Sequence, residues 1–242
     1  MARRSVQDFS RRSPASELMD GDTDYDTFRD CLKDLARVNR LTLAYRPTLF
    51  FLDRLLRQDL LPRDRTVHVL DVGYGYGDML RTVAGWARRR NIDVKLSGID
   101  LNPWSARAAG EATPASMPID WQVGDIFAFR PREPIDIALS ALVTHHLSDD
   151  MLVRFLRWQE DATRIGWFIN DLHRHPFAYH AFAQASRLLR MHHFVQHDGP
   201  VSIARAFVPG DWQQALGAAG IDGADVRWWV PFRLCVSRVK QR

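Results

Sequence analysis

Val67-His68-Val69-Leu70-Asp71-Val72-Gly73-Tyr74-Gly75-Tyr76-Gly77-Asp78 reads as a buried strand that breaks into a glycine turn and then enters a helix. Val67, Val69, Leu70 and Val72 supply the β-branched and apolar run. Three glycines at alternate positions let the backbone turn tightly and let a ligand approach it closely. Met79, Leu80, Val83 and Ala84 follow at helical spacing, so a helix starts near Asp78. Its N-terminus aims free N–H groups at whatever binds the turn. The spacing excludes two common nucleotide loops. A dinucleotide fingerprint needs a glycine at position 78, which is Asp78, and no G-x-x-x-x-G-K-[ST] run exists. Taken alone, the trio also fits a plain tight turn.

Composition narrows the class. The 242 residues can bury a good core as one domain with an appended cap. Hydrophobic residues make up 46% and charged residues 26%, an ordinary globular balance. The two cysteines, Cys31 and Cys235, suit a reducing compartment and exclude a disulfide scaffold or a cysteine-based zinc site. A cytoplasmic location is expected. No apolar run approaches the roughly 20 residues that span a membrane, so no membrane partner is expected. The net charge of +4 comes with arginine clusters at Arg3-Arg4, Arg11-Arg12 and Arg88-Arg89-Arg90. Such clusters can bind nucleic acid. The last of them closes the helix after the glycine turn, where cations suit the dipole, and we expect no nucleic-acid partner.

Residues 1–13 read as a disordered tail and 14–61 as an N-terminal helical cap. Within the cap, Tyr25, Phe28, Leu32, Leu35, Val38 and Leu41 recur at helical steps, and a second helix starts near Pro47. After the glycine turn the pattern alternates. Val94–Asp100 is a second strand ending in an acid, and Pro103 starts the next helix. Ile119–Ile126 is a third strand, Ile135–Ser140 a fourth and Gly166–Leu172 a fifth. Ser148 caps the helix between the last two. Strands separated by helical segments mean a parallel, doubly wound sheet. About 174–208 reads as a lid insertion: one long helix over Phe177–Met191, then an irregular stretch from His192 to Ala206 carrying Gly199 and Pro200. A helix over Trp212 and Leu216 and an antiparallel hairpin around Pro231 finish the chain. The fold class is therefore α/β, with residues 62–242 as the main domain.

The D-x-G-x-G-x-G pattern at Asp71–Gly77, Asp100 at the end of the second strand, Gly124-Asp125-Ile126 and Ser140 occur in order. Together they resemble the class I S-adenosylmethionine (SAM) dependent methyltransferases. Glu17-Leu-Met-Asp20, Leu35-Ala-Arg-Val-Asn-Arg40 and Asn170-Asp-Leu-His-Arg174 look like bacterial small-molecule members found beside polyketide-type pathways. The resemblance implies a Rossmann-like, seven-stranded, mostly parallel sheet with helices on both faces. It implies SAM as cofactor, held by Asp71, Gly73, Tyr74, Gly75, Gly77, Asp100, Leu101, Asn102, Asp125, Ile126, Ser140 and Ala141. Asp100 would meet the ribose hydroxyls and Asp125 the adenine amino group, with Ile126 packed on the ring.

Methyl transfer to oxygen benefits from a base. Eight of the nine histidines lie between His145 and His197, in segments that follow strands four and five. Strand C-terminal ends line the ligand crevice of this fold, so His145, His146 and His173 are candidate bases. No H-E-x-x-H or similar spacing points to a metal. The aromatic and arginine content of the cap and lid, including Arg46, Arg174 and Tyr179, suits a planar acceptor, anionic ones included. The expected reaction is O-methylation of a small hydroxylated aromatic or polyketide-like compound. An RNA or protein methyltransferase, or a non-catalytic SAM-binding scaffold, stays open.

Overall fold

The computed structural model describes residues 7–21 and 23–240. A seven-stranded sheet in the order β3-β2-β1-β4-β5-β7-β6 organises the molecule. β1 (Val67–Val72), β2 (Val94–Asp100), β3 (Asp120–Val123), β4 (Ile135–Ala141) and β5 (Thr163–Leu172) are parallel. β6 (Asp225–Trp229) and β7 (Arg233–Val239) form the antiparallel hairpin, with β7 paired to β5. The expected α/β architecture is the observed one.

Burial on both faces of the central strands explains why apolar residues occupy adjacent as well as alternate positions in them. Leu70, Val72, Trp167, Ile169, Leu234 and Val236 face α5 (Asp149–Ala162) and α8 (Pro209–Ala219). Val67, Val69, Phe168 and Cys235 face α2 (Arg46–Arg57) and α3 (Asp78–Arg90) on the other side. Successive side chains point to opposite faces, and both faces are covered by helices. On the second face Phe51 of α2 stacks on Phe168 at 5.0 Å between centroids.

The N-terminal helices roof the C-terminal end of this sheet. α1 (Tyr25–Leu41) is capped by Asp24, which accepts from the Thr27 N–H. Its Tyr25, Phe28 and Leu32 pack on Ala108 of α4 (Pro103–Glu111), and its Cys31 and Val38 pack on Val195. The corner between α1 and α2 is fixed by Asn170 of β5, whose Nδ2 donates to the Ala44 carbonyl at 2.7 Å.

The lid differs from expectation. Residues 192–206 are not irregular: they form α7 (His193–Arg205), which packs against α6 (Pro176–Leu188). Gly199 makes that packing possible, since a Cβ there would lie 2.0 Å from the Phe182 ring. Pro200 sits inside α7, where it removes one helical hydrogen bond. A Gly-Pro pair reads as a breaker in sequence, but tertiary contact with α6 overrides that local preference.

Residues 1–6 of the expected tail lie outside the described residues. Residues 7–13 lie against the body: Arg12 donates to the His145 and Leu147 carbonyls and to Asp149, and Ser13 N–H donates to the Ala204 carbonyl.

Candidate active site

A cavity of about 600 Å³ opens where the C-terminal ends of β1, β2 and β4 meet the corner between α1 and α2. The strand order reverses between β1 and β4, and such a switch point leaves a crevice that crossover helices cannot fill.

One half of the cavity is acidic. Asp71, Asp78 and Asp100 all line it. Asp100 ends β2 and accepts from the Gly75 N–H at 2.8 Å and the Asn102 N–H at 2.9 Å. Burial raises its carboxyl above the usual range, against the hydrogen bonds from Gly75, Asn102 and Ser105. Asp71 is buried, and its Oδ1 has no partner among the described residues. Burial first, then the charges of Asp78 and Asp100, push its carboxyl well up. The turn between them runs through Gly73 at φ +73°, where a Cβ would lie 2.3 Å from Val143. Leu101, Asn102, Tyr74, Asp125, Ile126 and Ala141 complete this half. Two residues expected to hold the ligand are not on the wall. Gly77 faces the Trp121 ring, and Ser140 is buried beside the cavity.

The other half is apolar on one side and polar at its end. Phe28, Leu32 and Leu35 of α1 form the wall, and Asn39, Asn170 and Arg233 form the end. Leu142 also lines the cavity, at φ +60°, a left-handed conformation that residues with a β-carbon adopt at a cost. Tyr45 donates to Asp78 at 2.5 Å and so ties the α1–α2 corner to the helix after the glycine turn.

The histidines divide. His145 is buried, and its Nδ1 sits 2.7 Å from Asp171 Oδ1. Asp171 also accepts from the Thr144 hydroxyl, the His145 N–H and the Leu172 N–H. Burial pushes the His145 imidazole down, but the Asp171 and Glu17 carboxylates outweigh it and carry it up to about 9. Glu17 is itself buried, with one oxygen 3.5 Å from His145 Nε2 and the other 3.8 Å from His146 Nε2. His146 and Glu17 line the cavity, whereas His145 stands behind them. His173 is not on the wall. Its ring lies against His175 and its N–H donates to the Phe232 carbonyl.

The three expected acceptor-binding residues are likewise elsewhere. Arg46 is exposed at the start of α2. Arg174 is buried, and its guanidinium is bonded to the Phe9 and Ala206 carbonyls and to Asp211. Tyr179 packs on Phe9. Neighbouring carbonyls, a carboxylate and a ring occupy the side chains of Arg174 and Tyr179. Glu17, Asn39, Tyr45 and Arg233 take their place on the wall. Glu17 and Asn39 stand in motifs visible in sequence, while nothing local marks Tyr45 and Arg233.

Residues 69–166 match the family model described as a methyltransferase domain. Those residues form a methyltransferase domain. No curated protein matches the chain. Among solved structures, the CMeT domain of the citrinin polyketide synthase superposes with a TM-score of 0.59 at 15% identity, over 80% of this chain and 51% of that one. The plantazolicin methyltransferase, solved with S-adenosylhomocysteine, gives 0.62 at 12% over 89% and 96%. Human N-acetylserotonin methyltransferase, solved with SAM, gives 0.51 at 16% over 72% and 48%. The chain thus spans about half the length of the first and the last of these. At such identities the likeness shows the fold.

The methyltransferase cavity fits SAM on its own chemistry. SAM carries a sulfonium and an amino group, and the acidic half offers four carboxyl groups, those of Asp71, Asp78, Asp100 and Asp125. One of them, Asp71, has a buried oxygen that lacks a partner. A pyrophosphate-bearing dinucleotide would meet the same carboxylates as repulsion.

Proposed function

We propose that the chain transfers a methyl group from SAM to an oxygen of a small hydroxylated aromatic or polyketide-like acceptor. The observation that carries this reading is the two-part cavity, acidic beside the glycine turn and apolar under α1. Its volume of about 600 Å³ lies within the range of small-molecule sites. Asp100 holds the ribose hydroxyls, Asp125 the adenine amino group, and Asp71 the positively charged end. When bound, SAM supplies a methyl already activated by its sulfonium for in-line displacement. An RNA substrate is less well supported. Arg88, Arg89 and Arg90 close α3 at the end away from the cavity, about 20 Å along the axis. The free, buried Cys31 and Cys235 support a reducing, cytoplasmic setting.

Within that reading His146 is the base. It is the candidate histidine on the wall, and Glu17 Oε2 lies 3.8 Å from its Nε2. The acceptor hydroxyl gives its proton to His146 as the new C–O bond forms, and Glu17 orients the ring. His146→Ala should lower kcat by about 10²- to 10⁴-fold while SAM affinity, measured by calorimetry, stays unchanged. Full turnover in that variant across pH 6 to 9 would move the base elsewhere.

Glu17, His145 and His146 present donor atoms within 4.8 Å of one another and could hold a divalent ion. We assign the cluster to a proton instead. The Arg205 guanidinium lies 3.6 Å from Glu17 and competes as a cation, and His145 holds its proton up to about pH 9. Dialysis against EDTA should therefore leave turnover unchanged. A loss that Mg²⁺ or Zn²⁺ restores would make the cluster a metal site.

A further inference from the structure

Arg233 is a buried cation on the cavity wall with no paired carboxylate among the described residues. It opens β7, opposite Leu172 of β5, and is 5% exposed. Its Nη2 donates to Asn39 Oδ1 at 3.1 Å, a neutral acceptor. No carboxylate of the described residues lies within salt-bridge distance of it. Asp171, whose field reaches the guanidinium, is already bonded to His145, Thr144 and Leu172.

Guanidinium cannot shed its charge at neutral pH, so a buried arginine normally carries a paired anion. Asn39 takes one N–H, and a cavity-lining fork with further donors remains. The charges in the cavity are also segregated. Asp71, Asp78 and Asp100 stand beside the glycine turn, Glu17 is engaged by His145, His146 and Arg205, and Arg233 stands at the acceptor end beside Asn39 and Asn170. A planar fork of donors is the geometry that carboxylates match with two parallel hydrogen bonds.

We propose that Arg233 is the anion-binding residue of the acceptor half, and that the acceptor is an aromatic hydroxy acid whose carboxylate seats on it. The carboxylate enters the apolar wall end-on, Asn39 and Asn170 flank it, and the hydroxyl to be methylated points back toward His146. This rests on the methyltransferase reading for the division of the cavity. The methionine carboxylate of SAM offers the same chemistry as the acceptor's, so the two sources must be separated.

The probes are hydroxybenzoates and hydroxynaphthoates, each paired with its uncharged methyl ester. Binding to the wild-type chain loaded with S-adenosylhomocysteine is measured by calorimetry, and loading itself is titrated first. The acids should bind about 10- to 100-fold more tightly than their esters, equivalent to about 1.4–2.8 kcal/mol. Arg233→Met, which keeps most of the side-chain volume, should abolish that difference and leave S-adenosylhomocysteine affinity within about twofold. Equal binding of acid and ester to wild type, or binding of neither, overturns the proposal, and this arm needs no variant to fold. A variant that loses S-adenosylhomocysteine instead assigns Arg233 to the cofactor and also overturns it. Failure of wild type to bind S-adenosylhomocysteine would overturn the methyltransferase reading separately.

Discussion

Asp100→Ala is expected to weaken SAM binding by about 100- to 1000-fold. Hydrogen bonds to a charged acceptor contribute roughly 1.5–3 kcal/mol each, and two ribose hydroxyls would donate to this carboxylate. The carboxylate also organises its surroundings. It accepts from the Gly75 and Asn102 N–H groups, so its removal releases the glycine turn and the start of α4 together. Burial raises the Asp100 carboxyl in the free protein, and two ribose donors favour its ionised form, so ligand binding and ionisation reinforce each other. Calorimetric titration with SAM and with S-adenosylhomocysteine measures the loss. Affinity within a few-fold of wild type would remove Asp100 from the ribose site.

Asp171→Asn should have the largest effect on stability. His145 and Asp171 form a buried pair at 2.7 Å, and Asp171 accepts from three further donors. Removing one charge of such a pair costs about 3–5 kcal/mol, because the other is left buried and uncompensated. For a chain of this size that corresponds to a fall in Tm on the order of 10 °C. The pair also gives wild-type stability a pH dependence. The folded chain binds the His145 proton more tightly than the unfolded chain does, since its imidazole is raised from 6.5 to about 9. The stabilisation is therefore complete below about pH 6.5 and is lost as pH rises through 9, roughly 3 kcal/mol in all. Asp171 works from the other side: its carboxyl is held well below the usual range, so its share is lost only in strong acid. Thermal melts from pH 6 to 9.5 should show the alkaline loss in wild type and a flatter profile in Asp171→Asn. A variant that melts like wild type would show that the pair is not a stabilising one.

The sheet and the acidic half of the cavity were legible because both are local patterns. β1 needs apolar residues on both faces, and its run from Val67 to Val72 shows that with four apolar residues in six positions. Asp100 and Asp125 stand at strand ends whose positions follow from the strands themselves. The acceptor half was not legible for the opposite reason. Arg233, Asn39 and Tyr45 meet the crevice only because β7 inserts beside β5 and α1 folds back over the sheet. Arg174 and Tyr179 were candidates on composition alone. Their side chains turn instead to the Phe9 segment, which sequence had placed in a disordered tail. α7 escaped because Gly199-Pro200 is a breaker pair that only contact with Phe182 reconciles with a helix.

The stitching of residues 12–19 to the far end of the chain has an evolutionary corollary. Leu18 and Met19 N–H groups bond Asp198, Ser202 bonds Glu17, and Arg12 reaches the loop after β4. The acceptor chamber is therefore written in scattered pieces of the gene, around residues 17–45, 142–151, 170 and 233. Exchanging the 174–208 segment between homologues would transplant none of Glu17, Asn39 or Arg233 and would tear the Ser202–Glu17 bond to α7. Substrate range in such a design diversifies more readily by single substitutions on the wall than by recombination of whole segments.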